Sequence, residues 1–310
     1  MNRALLHMHL AVLLWGFTGV LGRAISVDAP ALVWWRMLLT AAMMVVIVAV
    51  RKEWQPVPRK DRAMLAIIGS LIGLHWIAFY AAIKFSNASI ALICLSTAPV
   101  FTAVLDPLVN KTRWTPAEIG IGAVGLLGIY FIYRYEFAFG EGIAFGVVAA
   151  LLSSVFTVLN KRIAARYPPR LMVLYEMATG WVLVSIFIAV LLLCGFQKFL
   201  IPATDARETL VFWPQGMDWL WLPILALCCT VWAQSLALSA LKKLSSFTVT
   251  LSVNLEPVYG IVLAFVCYQE NELFGSGFYL GVALIVLSVL LQIFRLKRPV
   301  PGVQERGGID

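Results

Sequence analysis

Apolar residues along this chain fall into long continuous runs, separated by short blocks that collect the charged residues. Ten runs can be marked: 4–23, 31–50, 63–83, 88–109, 116–134, 142–161, 171–195, 218–240, 247–267 and 275–294. About 20 apolar residues are enough to cross the hydrocarbon of a bilayer. Each run is continuous rather than alternating. That predicts helices, which bond their own backbone polar groups inside lipid. Pro30, Pro116 and Pro169 stand at or near run starts, where a missing amide costs little. Pro99 and Pro257 instead lie near the middle of their runs and are the expected helix-break or hinge positions.

The two interrupted runs belong to a repeat. Residues 81–109 align without gaps on 239–267 at a constant offset of 158, with Ala82/Ala240, Lys84/Lys242, Pro99/Pro257, Val100/Val258 and Leu105/Leu263 identical. Trp15–Arg23 aligns on Ser153–Lys161 at an offset of 138. The basic start followed by an apolar stretch imitates a signal peptide, but membership in the repeat argues for a retained helix. The chain divides into a first five-helix unit over 1–137, a second over 138–298 and a short tail over 299–310. The longest loop between runs is 196–217.

Charge sets the orientation. With the N-terminus in the cytoplasm, eighteen lysines and arginines fall inside and five fall outside, namely Arg23, Lys84, Arg134, Lys198 and Arg207. Arg36 remains within a span. Basic residues concentrate on the cytoplasmic side, so both termini are expected there. Five helices per unit is odd, so the second copy enters upside down. Inverted repeats of this kind build secondary transporters, with the site at the repeat interface near the midplane. The expected fold is all-α and integral to the membrane, with ten helices in two inverted five-helix repeats.

Leu14-Trp15-Gly16 in the first helix, Arg36 in the second, the central prolines of the fourth and ninth and the repeat itself resemble the EamA type of the drug/metabolite transporter superfamily. The resemblance runs over 4–134 and 142–295. It implies a bacterial inner-membrane permease that exports amino acids or related metabolites. Ser153-Ser154 replaces Trp15-Gly16 in the second copy, so a tryptophan role there is not duplicated.

Ionisable groups inside a membrane are expensive and mark function by default. Glu256 directly precedes Pro257 and is the first candidate for carrying a proton, with His75 in reserve. Its structural alternative is a carboxyl that glues helices together. Arg36 and Glu176 occupy equivalent places, each about 8–9 Å into a core of roughly 30 Å and so about 12 Å apart in depth. Arg36 can grip a carboxylate through paired hydrogen bonds, or serve as a structural arginine. Glu176 is expected to anchor a helix end, to Lys161 or Arg162. Trp76 and Tyr80 share one helix face, and Trp76 aligns with Gln234. With Trp15, Trp34 and Trp35 they form an aromatic set suited to an amphipathic solute. Ser96 and its equivalent Asn254 are further polar lining candidates. Glycine pairs such as Gly69/Gly73 signal close helix packing.

Composition narrows the remaining classes. Apolar residues make up 61% and charged ones 13%, which leaves no soluble domain. The net charge of +8 sits in blocks between spans, as membrane orientation requires, and not on a nucleic-acid-binding face. The five cysteines all lie inside apolar runs without metal-ligand spacing. No Gly-x-x-x-x-Gly-Lys-Ser/Thr loop occurs, so no ATPase is built in. The expected function is secondary active export of a small amphipathic metabolite by alternating access, coupled to protons and needing no cofactor or metal. The partners are the lipid bilayer, the solute and protons. An integral-membrane enzyme and a channel remain as alternatives, as do monomer and homodimer.

Overall fold

The computed structural model describes residues 2–111, 113–135, 139–196, 200–201, 209–253, 255–270 and 274–297. Asn254 and the tail over 299–310 lie outside the described residues, as do Lys198, Arg207, Arg298 and Arg306 of the charge count. Described secondary structure is helical throughout. The elements are α1 Asn2–Ala24, α2 Ala29–Val50, α3 Arg59–Phe85, α4 Ala88–Leu95, α5 Ala98–Asn110, α6 Pro116–Tyr135, α7 Gly140–Ile163 and α8 Pro169–Leu193. They continue with α9 Asp218–Ala226, a π-helical turn Leu227–Trp232, α10 Ala233–Leu241, α11 Ser246–Val253, α12 Glu256–Tyr268 and α13 Ser276–Lys297.

Among the described residues, seven stretches are long and apolar enough to cross a membrane: Arg3–Ala24, Ala29–Val50, Arg59–Phe85, Ala88–Asn110, Gly140–Ile163, Pro169–Leu193 and Asp218–Leu241. Glu256–Tyr268 and Ser276–Ser288 are apolar but shorter. This is a multi-pass membrane protein.

Both proline-bearing runs are interrupted, and the proline takes a different place from the one its sequence position gives it. α4 stops at Leu95 and α5 starts at Ala98, with Pro99 in its first turn. α11 stops at Val253 and α12 starts at Glu256, with Pro257 in its first turn. A proline in a first turn displaces no backbone bond, since those amides have no partner within the helix. Each run is thus two short helices in series, and the prolines open the second member instead of bending one long helix.

Helix packing relies on small residues at the crossings. At the crossing of α3 and α8, a Cβ on Gly69 would fall 2.1 Å from the Glu176 carbonyl, and one on Gly180 would fall 2.5 Å from the Gly69 carbonyl. Backbone touches backbone there, which only glycine permits.

Polar contacts secure the two ends of the bundle differently. At one end Glu270, fully buried, is ion-paired with Arg23. It also accepts from the amides of Ala88 (3.2 Å) and Ser89 (2.9 Å) and from Ser89 Oγ (2.5 Å). Its carboxylate therefore serves the N-terminus of α4, where unpaired amides favour an anion. Lys84 Nζ donates to the Ile25 carbonyl at 2.7 Å, and Tyr268 donates to that of Val20 at 2.9 Å. At the opposite end Lys161 donates to the Leu241 carbonyl at 2.8 Å and to that of Leu244. A lysine on the last carbonyls of α10 is a favourable C-terminal cap. Arg166 and Tyr167 bond Asp61, and Arg170 pairs with Glu53.

Candidate functional site

A cavity with about 890 Å³ of empty space, part of it open to solvent, lies between α1, α2, α3, α7, α10 and the two interrupted runs. Among its wall residues are Trp15, Arg36, His75, Trp76, Gln234 and Glu256, six of the positions singled out from sequence. Tyr80 stands behind the wall, fully buried against Arg36. Ser96 is buried away from the cavity with its hydroxyl unpartnered. Asn254 lies outside the described residues.

The π-helical turn organises one wall. In it the Ala233 amide reaches back five residues to Cys228, so the register slips relative to an α-helix. The Cys229 carbonyl accepts from Trp15 Nε1 at 3.1 Å and from Arg36 Nη2 at 3.0 Å. Arg36 Nε donates to Thr230 Oγ1 at 2.8 Å and Nη1 to the Tyr80 hydroxyl at 2.7 Å. The guanidinium also lies over the Trp76 ring, 3.8 Å from its centroid. This buried cation is thus satisfied by neutral acceptors and a π face. Among the described residues it engages three of its five N–H groups, leaving two.

Glu256 opens α12 and is 6% exposed. Thr18 Oγ1 stands 3.3 Å from its Oε1, a long hydrogen bond. His75 presents Nδ1 to the Ala149 carbonyl at 2.7 Å. A carbonyl only accepts, so Nδ1 carries the proton. The ring packs edge-on against Phe156, with centroids 5.4 Å apart.

Two expectations are corrected. Trp34 and Trp35 are not among the cavity's wall residues. Trp34 donates to Ser185 Oγ and packs on Trp181, while Trp35 donates to the Phe212 carbonyl and packs on Trp213 and Trp219. They form an aromatic cluster of their own. Glu176 does not pair with Lys161, which bonds carbonyls instead. Sequence reasoning missed Thr18, Phe156, Thr157 and Asn160 on the wall. All four lie within the aligned segments 15–23 and 153–161, so the repeat itself was the signal that could have found them.

The model of the EamA-like transporter family matches residues 2–134 and 140–294, nearly the whole chain in two copies. The chain belongs to that family. An uncharacterized transporter of Synechocystis sp. is 24% identical over 272 residues, covering 81% of this chain and 72% of its own. A second uncharacterized transporter, from Archaeoglobus fulgidus, is 22% identical over 130 residues, 42% of this chain and 46% of its own. One crystal structure at 20% identity shares the fold with a TM-score of 0.65, over 96% of this chain and 99% of the other. The two family matches are separated by residues 135–139.

Proposed function

We propose that this EamA-family protein is a secondary active exporter. It moves a small amphipathic metabolite, an amino acid or a related compound, by alternating access across the bacterial inner membrane. The proposed frame is ten helices in two inverted five-helix repeats, with both termini cytoplasmic. One observation carries this reading. Positions related by the repeat meet on the wall of one cavity: Trp15 and Ser153, Thr18 and Phe156, Trp76 and Gln234, Phe79 and Ala237, Leu95 and Val253, Ala98 and Glu256. A site at a repeat interface is where inverted-repeat transporters bind their solute.

The asymmetry of the ends supports a direction. Wall residues Thr157, Asn160, Leu238 and Leu241 follow α7 and α10 toward Lys161 and Lys242, on the basic-rich side. Arg23 and Glu270 pair toward the opposite end, and this pair is the proposed closure there. A cavity approached from the cytoplasm and latched outside is poised to load for export. Within it, Arg36 offers its two uncommitted N–H groups to an anionic end of the solute, while Trp15 and Trp76 supply apolar faces. Glu256 carries the proton. Pro99 and Pro257 mark the breaks about which the halves move.

Purified full-length protein in proteoliposomes, supplied with a labelled amino-acid mixture, tests the proposal. Accumulation driven by an imposed pH gradient and abolished by a protonophore is the expected result. No flux of any component, with or without the gradient, would overturn it.

A further inference from the structure

Glu176 is a buried carboxylate that the reading above leaves unused. It is fully buried on α8, and both of its oxygens lack a hydrogen-bond partner among the described residues. The side-chain amides of Asn160 and Gln234 face it at hydrogen-bonding range, although neither contact has the geometry of a full hydrogen bond. Asn160 Oδ1 is buried and unpartnered as well. Three acceptor oxygens therefore gather with only two neutral side-chain amides facing them and, among the described residues, no cation beside them. Buried acceptors in native proteins are almost always satisfied, and an uncompensated buried anion is costly. No described lysine or arginine is ion-paired with Glu176. Lys161, one residue after Asn160, bonds the carbonyls of Leu241 and Leu244. Arg36 is held by Thr230, Tyr80 and Cys229.

The cluster is immobilised from behind and fronted by the cavity. The Glu176 carbonyl lies against Gly69 at the crossing of α3 and α8, so the backbone carrying this side chain has no room to withdraw. Asn160 and Gln234 are themselves wall residues, and they stand between the carboxylate and the cavity. Turning either amide aside exposes the acceptors to whatever the cavity holds.

We propose that Glu176, Asn160 and Gln234 form a cation subsite at the Lys161 end of the cavity, opposite Arg36. The ligand is a monovalent cation, either an inorganic ion such as sodium or the ammonium group of an elongated solute. Arg36 bonds Thr230 and Glu176 is faced by Gln234, so the two charged groups address a solute from different levels of the same wall, as a solute with its amine at the far end requires. The proposal relies on the transport reading only for taking the cavity as a solute site.

Thermal unfolding of the detergent-solubilised full chain tests it without requiring transport, since a ligand of the native state raises the midpoint with concentration. The probes are sodium chloride against choline chloride, and 6-aminohexanoate against hexanoate. A saturable rise with sodium alone assigns the inorganic ion, and one with 6-aminohexanoate alone assigns the solute's amine. In either case Glu176→Gln is expected to shift half-saturation to at least about tenfold higher concentration, as loss of a charged partner implies. Asn160→Leu provides a second variant should the first unfold, and it is expected to shift half-saturation the same way. No rise with either cationic probe in the wild type, or an unchanged response in both folded variants, overturns the subsite. If the cation response holds but no solute crosses proteoliposomes, the transport reading falls and the subsite stands.

Discussion

Trp15 and Arg36, on different helices, donate to a single acceptor, the Cys229 carbonyl, from 3.1 and 3.0 Å. The π-helical turn lets one backbone oxygen hold two of the cavity's largest side chains in register. Arg36 is therefore part of the wall before any solute arrives.

Replacing this arginine should register in stability as well as transport. Each hydrogen bond to a charged group contributes about 1.5–3 kcal/mol, and Arg36 makes three. A lysine keeps the charge but not the planar fork. Arg36→Lys should lower the unfolding midpoint nearly as far as Arg36→Ala does, and both should weaken transport of carboxylate-bearing solutes most. An unchanged midpoint in Arg36→Lys would contradict the wall role.

Glu256→Gln keeps shape and hydrogen bonding to Thr18 but removes ionisation. It should leave the protein folded, abolish accumulation driven by a pH gradient and spare solute exchange at zero gradient. Uptake measured in both regimes separates the two effects. Persistent gradient-driven accumulation in the mutant would leave Glu256 as a helix-joining carboxyl.

The contact between Arg23 and Glu270 should act as a latch. In a background with Cys194, Cys228 and Cys267 changed to serine, Thr18→Cys should react slowly with a membrane-impermeant thiol reagent added from the Glu270 side. Adding Arg23→Ala should raise the labelling rate several-fold, since about 1 kcal/mol of lost closure already shifts the open population about fivefold. Equal rates would show that closure does not depend on this pair.

Reporter fusions should place residue 58 and the C-terminus in the cytoplasm and residue 205 in the periplasm. A cytoplasmic signal at 205 would break the inverted arrangement.

The helices were largely legible because lipid imposes one demand along a whole run, and the demand shows as composition. Residues 88–109 and 247–267 were also legible as interrupted, through Pro99 and Pro257, although the breaks fall before the prolines and not at them. The π-helical turn was not legible. Leu227–Trp232 contains neither glycine nor proline, and what stabilises its shifted register comes from Trp15 and Arg36, more than 190 residues away in the chain. Trp34 and Trp35 were misplaced for a related reason. Tryptophan is favoured both in a solute cavity and in an aromatic cluster, and only the position of Phe212 and Trp181 decides between them.

The paired breaks have a consequence for how such a site changes over time. α5 and α12 begin, and α4 and α11 end, part-way along their runs, so the α-helical bond pattern is broken at that depth and the amides of Ser96, Thr97 and Leu255 turn back three residues instead, whatever side chains surround them. Polarity there belongs to the backbone and survives substitution of any single wall residue. Point mutation is then free to redraw which solute fits, or whether a gradient drives it, while the membrane-buried polar pocket itself persists.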